Sequence, residues 1–338
     1  MLGQLMPVTI KEIAEIAGVC HSTVSRALHG NEMINAGTRA KIKRLADEMG
    51  YVPSAVALSL RSQKTLTVGI VVTSINDPFF GRIVEGIENV ARAANYSTFL
   101  STSGFGEVGE REVVQSFYRR RVDAIIISSL WGDLTLGEEF ERIKIPIVLI
   151  NNQTEGKYLH SVAVDDVRGG EVATRHLLEL GHRRISYLET KNRWKSNRLR
   201  REGYEKAHRA ASVPLDPKLV IPPLADDDVS RGEKALEQLL EAKATAVFCY
   251  NDMTAIGLMN ACRAARVRVP QDISIVGYDD VELTNHVTPA LTTMHQPRRQ
   301  LGQQAMEMTL ALLAGEDSVP DQVLDSRLVV RASTASPA

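Results

Sequence analysis

Residues 9–30 read TIKEIAEIAGVCHSTVSRALHG, and their spacing predicts two short helices joined by a tight turn. Thr9 and Glu12 have the spacing of a capping box, in which each side chain accepts a backbone N–H at the start of a helix. Gly18 favours the left-handed backbone that ends a helix. Apolar residues lie between them at the spacing of one helical stripe: Ile10, Ile13, Ala14 and Ala17.

The second predicted helix combines a small apolar face with a polar one. Val24, Ala27 and Leu28 repeat the inward spacing. The outward polar positions are His21, Ser22, Ser25 and Arg26. Such a helix matches the second helix of a helix-turn-helix, which meets base edges in the major groove. The alternative is an ordinary three-helix packing unit with a solvated face.

A third helix is predicted between Asn35, as its N-cap, and Gly50, with an apolar side that shares the core of the first two. That side holds Thr38, Ile42, Leu45 and Met49. The motif YVPS at 51–54 breaks the helical pattern. Residues 54–62, SAVALSLRS, then predict a short helix. It is too apolar for a solvent-exposed linker and too short to form a hydrophobic core by itself.

From these motifs the chain resembles the lactose-repressor (LacI/GalR-type) family of bacterial transcription regulators. The resemblance is carried by VTIKEIAEIAGVCHSTVSRAL and TRAKIKRLADEMGYVPSAVALSLRS, and it extends over nearly the whole chain. It implies that residues 53–64 form a hinge helix on operator DNA, with Leu60 inserted into the minor groove as an apolar wedge. A core leucine is the alternative for Leu60. Cys20 stands where the family often has a capping serine, and Leu58 where it often has arginine.

The resemblance also implies which residues of the N-terminal region contact DNA: Thr9, His21, Ser22, Thr23, Ser25, Arg26, Asn35, Thr38 and Leu60. Charge gives modest support. Residues 1–64 carry eight basic and five acidic residues, a net of +3, whereas the rest carries 32 and 36, a net of −4. A positively charged N-terminal region followed by a slightly acidic remainder suits a DNA-binding module that contacts phosphates.

Beyond Leu66, β-rich runs alternate with helical patterns, which predicts two doubly wound parallel-sheet lobes. The first series contains LTVGIVVT, STFLST, DAIIISS and IPIVLIN, and the second contains SVAVDD, ISYLET, TAVFCY and ISIVGY. The expected fold is a helical helix-turn-helix head plus an α/β body like a periplasmic sugar-binding protein. The domains are the head at 1–52, the hinge at 53–64 and an effector-binding and dimerisation domain at 65–338. Its N-lobe covers about 65–162 and 296–322, and its C-lobe covers about 163–295 and 323–338.

Ligands of doubly wound sheets bind beyond the carboxyl ends of the strands, so the loops there hold the candidate effector residues. From position and from the family's motifs RREGY, YNDMTAIG and VGYDD, these are Phe79, Phe80, Trp131, Asp165, Trp194, Ser196, Arg200, Asn251 and Asp279. Aromatic faces with amide, carboxylate and guanidinium groups suit a sugar, sugar acid or polyol. Asp252 and Asp280 are interpreted as helix caps or lobe-stabilising acceptors, and His182 as a positive helix C-cap.

The sequence has no signatures of secretion, membrane insertion or nucleotide-dependent catalysis. Three scattered cysteines indicate a reducing compartment, and neither a secretory signal nor a membrane span is expected, so the predicted location is the cytoplasm. Met6 is an alternative start to Met1. TSINDPFFG follows the first strand in place of a glycine-rich phosphate loop, and no cofactor, metal site or catalytic residue is expected.

The predicted function is therefore repression of transcription by a homodimer, or a higher oligomer, that binds pseudo-palindromic double-stranded DNA under control of an effector between the lobes. The alternative function is that of an effector-recruited co-repressor or an activator of the same family. A sugar-binding or sugar-metabolising enzyme is a less favoured alternative.

Overall fold

The computed structural model describes residues 8–52, 64–104, 107–128, 144–152, 159–191, 194–316 and 319–337. The chain divides between Thr65 and Leu66 into two compact units, here called the head and the body. Leu60, with nearly all of the predicted hinge, lies outside the described residues. So do Trp131 and the helix predicted after DAIIISS.

The head contains three helices, at Ile10–Ala17 (α1), His21–Leu28 (α2) and Ala36–Glu48 (α3). Their apolar faces meet in one small core, as the helical spacing predicts. Its buried members are Ile13, Ala14, Ala17, Val24, Ala27, Ile42 and Ala46. Leu28, Leu45 and Met49 pack against this core from its edge.

The body contains two six-stranded sheets. Their strands are Thr67–Val72 (β1), Ser97–Thr102 (β2), Ala124–Ile127 (β3), Ile147–Ile150 (β4), Leu159–Val164 (β5), Ile185–Leu188 (β6), Val220–Ile221 (β7), Ala246–Cys249 (β8), Ser274–Asp279 (β9), Thr292–His295 (β10), Gln322–Leu324 (β11) and Arg327–Val329 (β12). The first sheet has the order β11-β5-β4-β3-β1-β2, and the second β12-β10-β9-β8-β6-β7. Every pairing is parallel except that of β10 with β12. The predicted doubly wound lobes are therefore confirmed.

One strand lies in a different lobe from the one predicted. The run SVAVDD was expected to open the second series, but β5 pairs with β4 in the first sheet. The segment is a largely buried inner strand with β11 on its other side. Hydropathy alone does not assign such a strand to a lobe, because any neighbouring buried strand satisfies it equally well.

Helices cover both faces of each sheet. They are Pro78–Ala93 (α4), Glu107–Arg119 (α5), Asp166–Glu179 (α6), Trp194–Ala210 (α7), Asp228–Glu241 (α8), Asp252–Ala265 (α9) and Arg298–Ala314 (α10), with 3₁₀ turns at Pro217–Leu219 and Glu282–Asn285. In the first lobe, α4 and α10 pack on one face of the sheet and α5 on the other. In the second lobe, α6 and α7 pack on one face, α8 and α9 on the other. Strand β7 and helix α8 were missed by the sequence patterns.

Glycines let α4 and α10 approach closely. A Cβ atom on Gly86 of α4 would come closer than 3.0 Å to the carbonyl oxygen of Arg299, and one on Gly302 of α10 would do the same with Ile83. Both clashes are with backbone atoms, which cannot rotate away. Helix α10 is therefore fixed in the first lobe along α4.

The chain passes between the lobes three times: after β5, after β10, and between β11 and β12. The second crossing brings the chain from LTTMHQP, which contains β10, into α10. No helix in the described ranges is long and apolar enough to cross a membrane.

Candidate functional site

The start of α1 is held by the predicted capping box. The Thr9 backbone N–H donates to Glu12 Oε2 at 2.7 Å, and the Glu12 N–H donates to Thr9 Oγ1 at 3.4 Å. The same hydrogen bond from the Thr9 backbone lowers the pKa of Glu12. Gly18 ends the helix with φ +71°. Thr9 is exposed but engaged in this cap, so its predicted DNA contact stays a prediction.

Helix α2 presents the polar face that a DNA-reading helix needs. Val24 and Ala27 are buried, whereas His21, Ser22 and Arg26 are exposed. Thr23 and Ser25 are half-buried beside this face. On α3, Asn35 caps the helix by accepting the Gly37 N–H at 2.8 Å, and Thr38 is half-buried.

Cys20 occupies the N-cap position of α2 without making a side-chain cap bond. Its Sγ atom lies 3.1 Å from Ser22 Oγ and 3.0 Å from Thr23 Oγ1. These hydroxyls lower the pKa of the Cys20 thiol to about 7. Helix α2 therefore begins without a side-chain cap, and two of the predicted DNA-contacting hydroxyls, on Ser22 and Thr23, are in contact with sulfur.

In the body, a cavity of about 300 Å³ lies between the two lobes. The first lobe contributes the loop after β1, and the second contributes the loops after β6 and β8 and the start of α8. Its walls are formed by Thr73, Ser74, Asn76, Asp77, Pro78, Thr190, Asp227, Asp228, Val229, Tyr250 and Met253. The cavity thus lies at the carboxyl ends of the parallel strands, where doubly wound folds bind ligands.

Phe79 and Phe80 do not line this cavity. Both rings are 2% exposed in the core of the first lobe, in a T-shaped pair with centroids 5.5 Å apart. Their loop does reach the cavity, but through Asn76, Asp77 and Pro78. Asp77 caps α4 by accepting the Phe79 N–H, and the helix then turns both rings toward the sheet. The aromatic stacking expected from them is not supported by this arrangement.

Arg200 lies in the second lobe behind Tyr250. Its Nε donates to Asp166 Oδ1 at 2.8 Å, and its Nη1 donates to the Tyr250 carbonyl at 2.7 Å. The guanidinium also stacks on the ring of Tyr278, with Cζ 3.7 Å from the centroid. Although burial by itself lowers the pKa of Arg200, the Asp166 carboxylate raises it above its ordinary value. Arg200 is therefore a charged, buried support behind the cavity wall.

Asp279 lies beside this arginine and joins the two lobes through amide side chains. Asp279 Oδ1 is 3.9 Å from Arg200 Nη1 and accepts Gln296 Nε2 at 2.6 Å. Gln296, on the crossing segment, accepts Asn151 Nδ2 from the first lobe at 2.9 Å. The structure thus brings two predicted effector residues together and adds Asn151 and Gln296, which the sequence analysis missed.

Asn251 supports the cavity wall from its other side. It caps α9 by accepting the Thr254 N–H at 2.9 Å, and its Nδ2 donates to Asp228 Oδ2 at 2.7 Å. Asp228 also pairs with Arg231, whose side chain is buried. A predicted effector residue therefore orients a carboxylate that does line the cavity.

The remaining predicted effector residues are spread more widely. Asp165 is exposed and caps α6 by accepting the Arg168 N–H at 2.9 Å. Ser196 is buried in α7, and Trp194 is the first residue of that helix. None of these three is among the described walls of the cavity. Their roles toward an effector stay predictions.

The two aspartates interpreted as structural have that role. Asp252 is fully buried and accepts the Val281 N–H at 2.9 Å and Thr293 Oγ1 at 2.5 Å. Burial, then the neighbouring Asp279 carboxylate, raises its pKa well above the ordinary value. Asp280 pairs with Arg331 at 2.6 Å and His295 at 2.8 Å.

The interpretation of His182 as a positive helix cap is wrong. Its ring contacts Thr245 Oγ1 and the Ala335 carbonyl, both at 2.9 Å, and is 1% exposed. Burial lowers its pKa, so the neutral ring is favoured. Arg183 caps α6 instead, because its Nη1 donates to the Leu178 carbonyl at 3.0 Å.

Asp227 and Asp228 were not predicted from the sequence, because β7 and α8, the elements around them, were not predicted either. Strand β7 has only two residues, too short for a hydropathy pattern. The signal that was available is ADDDVSRGEKALEQLL, an acidic cap followed by helical spacing. Asp227 does cap α8, accepting the Ser230 N–H at 2.8 Å.

Comparison with known proteins agrees with this arrangement. The family model for bacterial regulatory proteins of the lacI family matches residues 9–54, and the periplasmic binding protein-like domain matches residues 174–334. The GalR transcriptional regulator of Salmonella typhimurium is 34% identical, over 97% of this chain and 96% of its own. The PurR transcriptional repressor of Vibrio atlanticus is 33% identical, over 91% and 93%.

Solved structures extend the likeness to the whole fold. The lac repressor dimer bound to operator and the anti-inducer ONPF matches 98% of this chain and 100% of its own, with a TM-score of 0.85 and 28% identity. The regulator CelR in complex with cellobiose matches 96% and 99%, with a TM-score of 0.73 and 29% identity. With a head that presents a DNA-reading helix and a cavity between two lobes, the chain belongs to the lacI family of bacterial regulatory proteins and is a DNA-binding transcriptional repressor with a small-molecule effector.

Proposed function

We propose that the effector is a neutral polyhydroxylated molecule, a sugar or a polyol, bound in the cavity between the lobes. The observation that supports this most directly is the chemistry of the cavity walls. Beside apolar surface they present hydroxyl, amide and carboxylate side chains: Thr73, Ser74, Asn76, Asp77, Thr190, Asp227 and Asp228. Such groups make directional hydrogen bonds to hydroxyls. A volume of about 300 Å³ is at the small end for ligand pockets, which favours a small effector.

The charge of the cavity argues against a sugar acid or a sugar phosphate. Three carboxylates and no lysine or arginine occur among its described walls. The Ser230 backbone N–H lowers the pKa of Asp227, so this carboxylate is ionised at neutral pH. Asp228 is compensated by Arg231, but Arg231 does not line the cavity. An anionic effector would meet like charges, whereas a neutral polyol would find acceptors for its hydroxyls.

Neutral sugars are the named ligands of two similar proteins. Besides the CelR complex with cellobiose, a lacI-family regulator from Enterococcus faecium with bound ribose is 31% identical over 80% of this chain. The ribose operon repressor of Haemophilus influenzae is 32% identical over 97% of it.

A ligand screen tests the effector class. Thermal unfolding of the full chain is followed with neutral pentoses, hexoses and polyols, and with sugar acids and sugar phosphates. A ligand at 100 times its dissociation constant stabilises the folded state by about 2.7 kcal/mol. We expect stabilisation by at least one neutral compound. Stabilisation by anionic compounds alone would overturn the assignment.

A pair of capping aspartates localises the site. Asp227→Asn keeps a capping oxygen but removes the charge from the cavity wall, and we expect it to weaken binding of the stabilising compound. Asp216→Asn is the matched control, because Asp216 also caps a helical turn through its carboxylate but does not line the cavity. Equal weakening in both variants would count against this site.

We also propose that α2 reads a pseudo-palindromic operator in the cytoplasm and that a homodimer supplies two heads. The supporting observation is the exposed polar face of α2, which carries His21, Ser22 and Arg26. By family resemblance, Leu60 acts as the minor-groove wedge. Two-fold protein symmetry should be mirrored in two half-sites on the DNA.

Selection from random duplex DNA followed by gel-shift titration tests this proposal. Arg26→Ala should lose about 1–3 kcal/mol of specific binding if Arg26 contacts a base edge. Arg44→Ala is the control, since Arg44 is exposed on α3 and pairs only loosely with Glu48, at 3.7 Å. Leu60→Ala should also weaken specific binding. Titrating the stabilising sugar into the complex separates release from recruitment.

A further inference from the structure

We propose that Arg298 is a coupling residue that holds the two lobes together beside the effector cavity. Its Nη1 donates to the Pro78 carbonyl at 3.1 Å, and its Nη2 donates to the Asp280 carbonyl at 2.8 Å. Pro78 belongs to the first lobe and lines the cavity, whereas Asp280 belongs to the second. One guanidinium therefore bridges both.

The backbone of Arg298 is fixed in the first lobe. It is the first residue of α10, which lies along α4 through the close approaches at Gly86 and Gly302. Pro78 is the first residue of α4. The hydrogen bond to Pro78 thus joins two helix starts within one lobe, and the hydrogen bond to Asp280 is the one that joins the two lobes.

The contact in the second lobe is made to a strained turn. Asp279 and Asp280 have φ +118° and +55°, in the left-handed region that non-glycine residues rarely adopt. The Asp280 side chain is held by Arg331 and His295, and its carbonyl is held by Arg298. Such a conformation persists only where its surroundings determine it, and strained turns cluster at functional sites.

Burial distinguishes this bridge from an exposed polar contact that also joins the lobes. Arg298 is 7% exposed. The ion pair of Arg82 with Glu282 also joins the lobes, but its side chains are 48% and 72% exposed, so solvent screens it. A buried guanidinium that loses its acceptor is not rehydrated, so breaking the hydrogen bond costs free energy. A change in the angle between the lobes that breaks this bond is therefore opposed by Arg298.

This inference does not depend on which molecule is the effector, because lobe separation is measurable without one. Donor and acceptor dyes are placed at Glu112→Cys on α5 and Glu179→Cys on α6, both exposed positions in different lobes. Cys20→Ser removes the exposed native thiol, while Cys249 and Cys262 are buried. Doubly labelled chains are diluted into unlabelled protein, so that each labelled molecule reports a distance within one chain. Single-molecule energy transfer then gives the distribution of lobe separations.

The test compares Arg298→Met with Arg331→Met. Arg331 is the matched control because it binds the same residue, Asp280, together with the Leu291 carbonyl, but lies wholly within the second lobe. We expect Arg298→Met to increase the population outside the parent peak about tenfold or more, as loss of hydrogen bonds to a charged group implies. Arg331→Met should keep the parent distribution even where it lowers the unfolding temperature.

Arg298→Lys is the second variant, which decides the test if Arg298→Met does not fold. An ammonium keeps the charge but lacks the planar fork that spans two carbonyls, so an intermediate redistribution is expected. Distributions of the Arg298 variants that coincide with the parent, or an equal redistribution in Arg331→Met, would overturn the proposal.

Discussion

Alanine in place of two glycines of the same helix should change stability in opposite directions. Gly81 and Gly86 both lie in α4. A Cβ atom at Gly81 meets nothing within 4 Å, whereas one at Gly86 would overlap the Arg299 backbone at its contact with α10. Replacing glycine by alanine in a helix stabilises the folded state by roughly 0.5–1 kcal/mol when there is space. Gly81→Ala should show that gain.

At Gly86 the same gain is outweighed by overpacking. Inserting atoms into a packed core costs about 1–3 kcal/mol, and a clash with backbone on a second helix belongs at the upper end. The net effect of Gly86→Ala is then a loss of about 2 kcal/mol. With a shift of roughly 2–4 °C per kcal/mol for a chain of this size, the midpoint should fall by about 4–8 °C.

Thermal and urea unfolding of the full-length variants, followed by circular dichroism, provides the measurement. We expect a higher midpoint than the parent for Gly81→Ala and a lower one for Gly86→Ala. A midpoint for Gly86→Ala at or above that of the parent would refute the close approach of α4 and α10, and with it the anchoring of Arg298 in the first lobe.

Three further predictions concern single side chains. Cys20→Ser should supply the missing cap of α2 and stabilise the head by about 1 kcal/mol, seen as slower amide exchange in α2; unchanged exchange would contradict it. Hydrogen bonds with His295 and Arg331 lower the pKa of Asp280 to about 2 against the effect of burial. Its contribution is therefore present above pH 3.8 and lost as the pH falls toward 2, so Asp280→Asn should flatten stability over that window. Burial lowers the pKa of His182, so stability should fall as the pH drops below 6.5, and less so in His182→Gln.

Local signals were sufficient for the head. The capping box at Thr9 and Glu12, the left-handed Gly18 and the cap at Asn35 all appear as the sequence predicts. Each depends on groups within four residues of one another, so local geometry decides it. The alternation of strands and helices likewise predicted two parallel sheets, because every run has a buried side that only a layered α/β fold covers.

Contacts between residues far apart in the sequence decided the lobe of each strand and the walls of the cavity. Hydropathy did not reveal that β5 completes the first sheet, since a central buried strand is apolar wherever it pairs. It also missed β7 and α8, and with them the cavity walls at Asp227 and Asp228.

The residues predicted from the family's motifs and the residues that line the cavity between the lobes are therefore different sets. From sequence, the family's motifs predicted Arg200, Asn251 and Asp279 as effector residues. Only the tertiary structure decided that Arg200 supports the wall from behind and that Phe79 turns into the core. The physical reason is that backbone preference and hydrophobic periodicity act over a few residues, whereas burial and hydrogen bonding at a lobe boundary depend on segments more than 200 residues apart, such as Pro78 and Arg298.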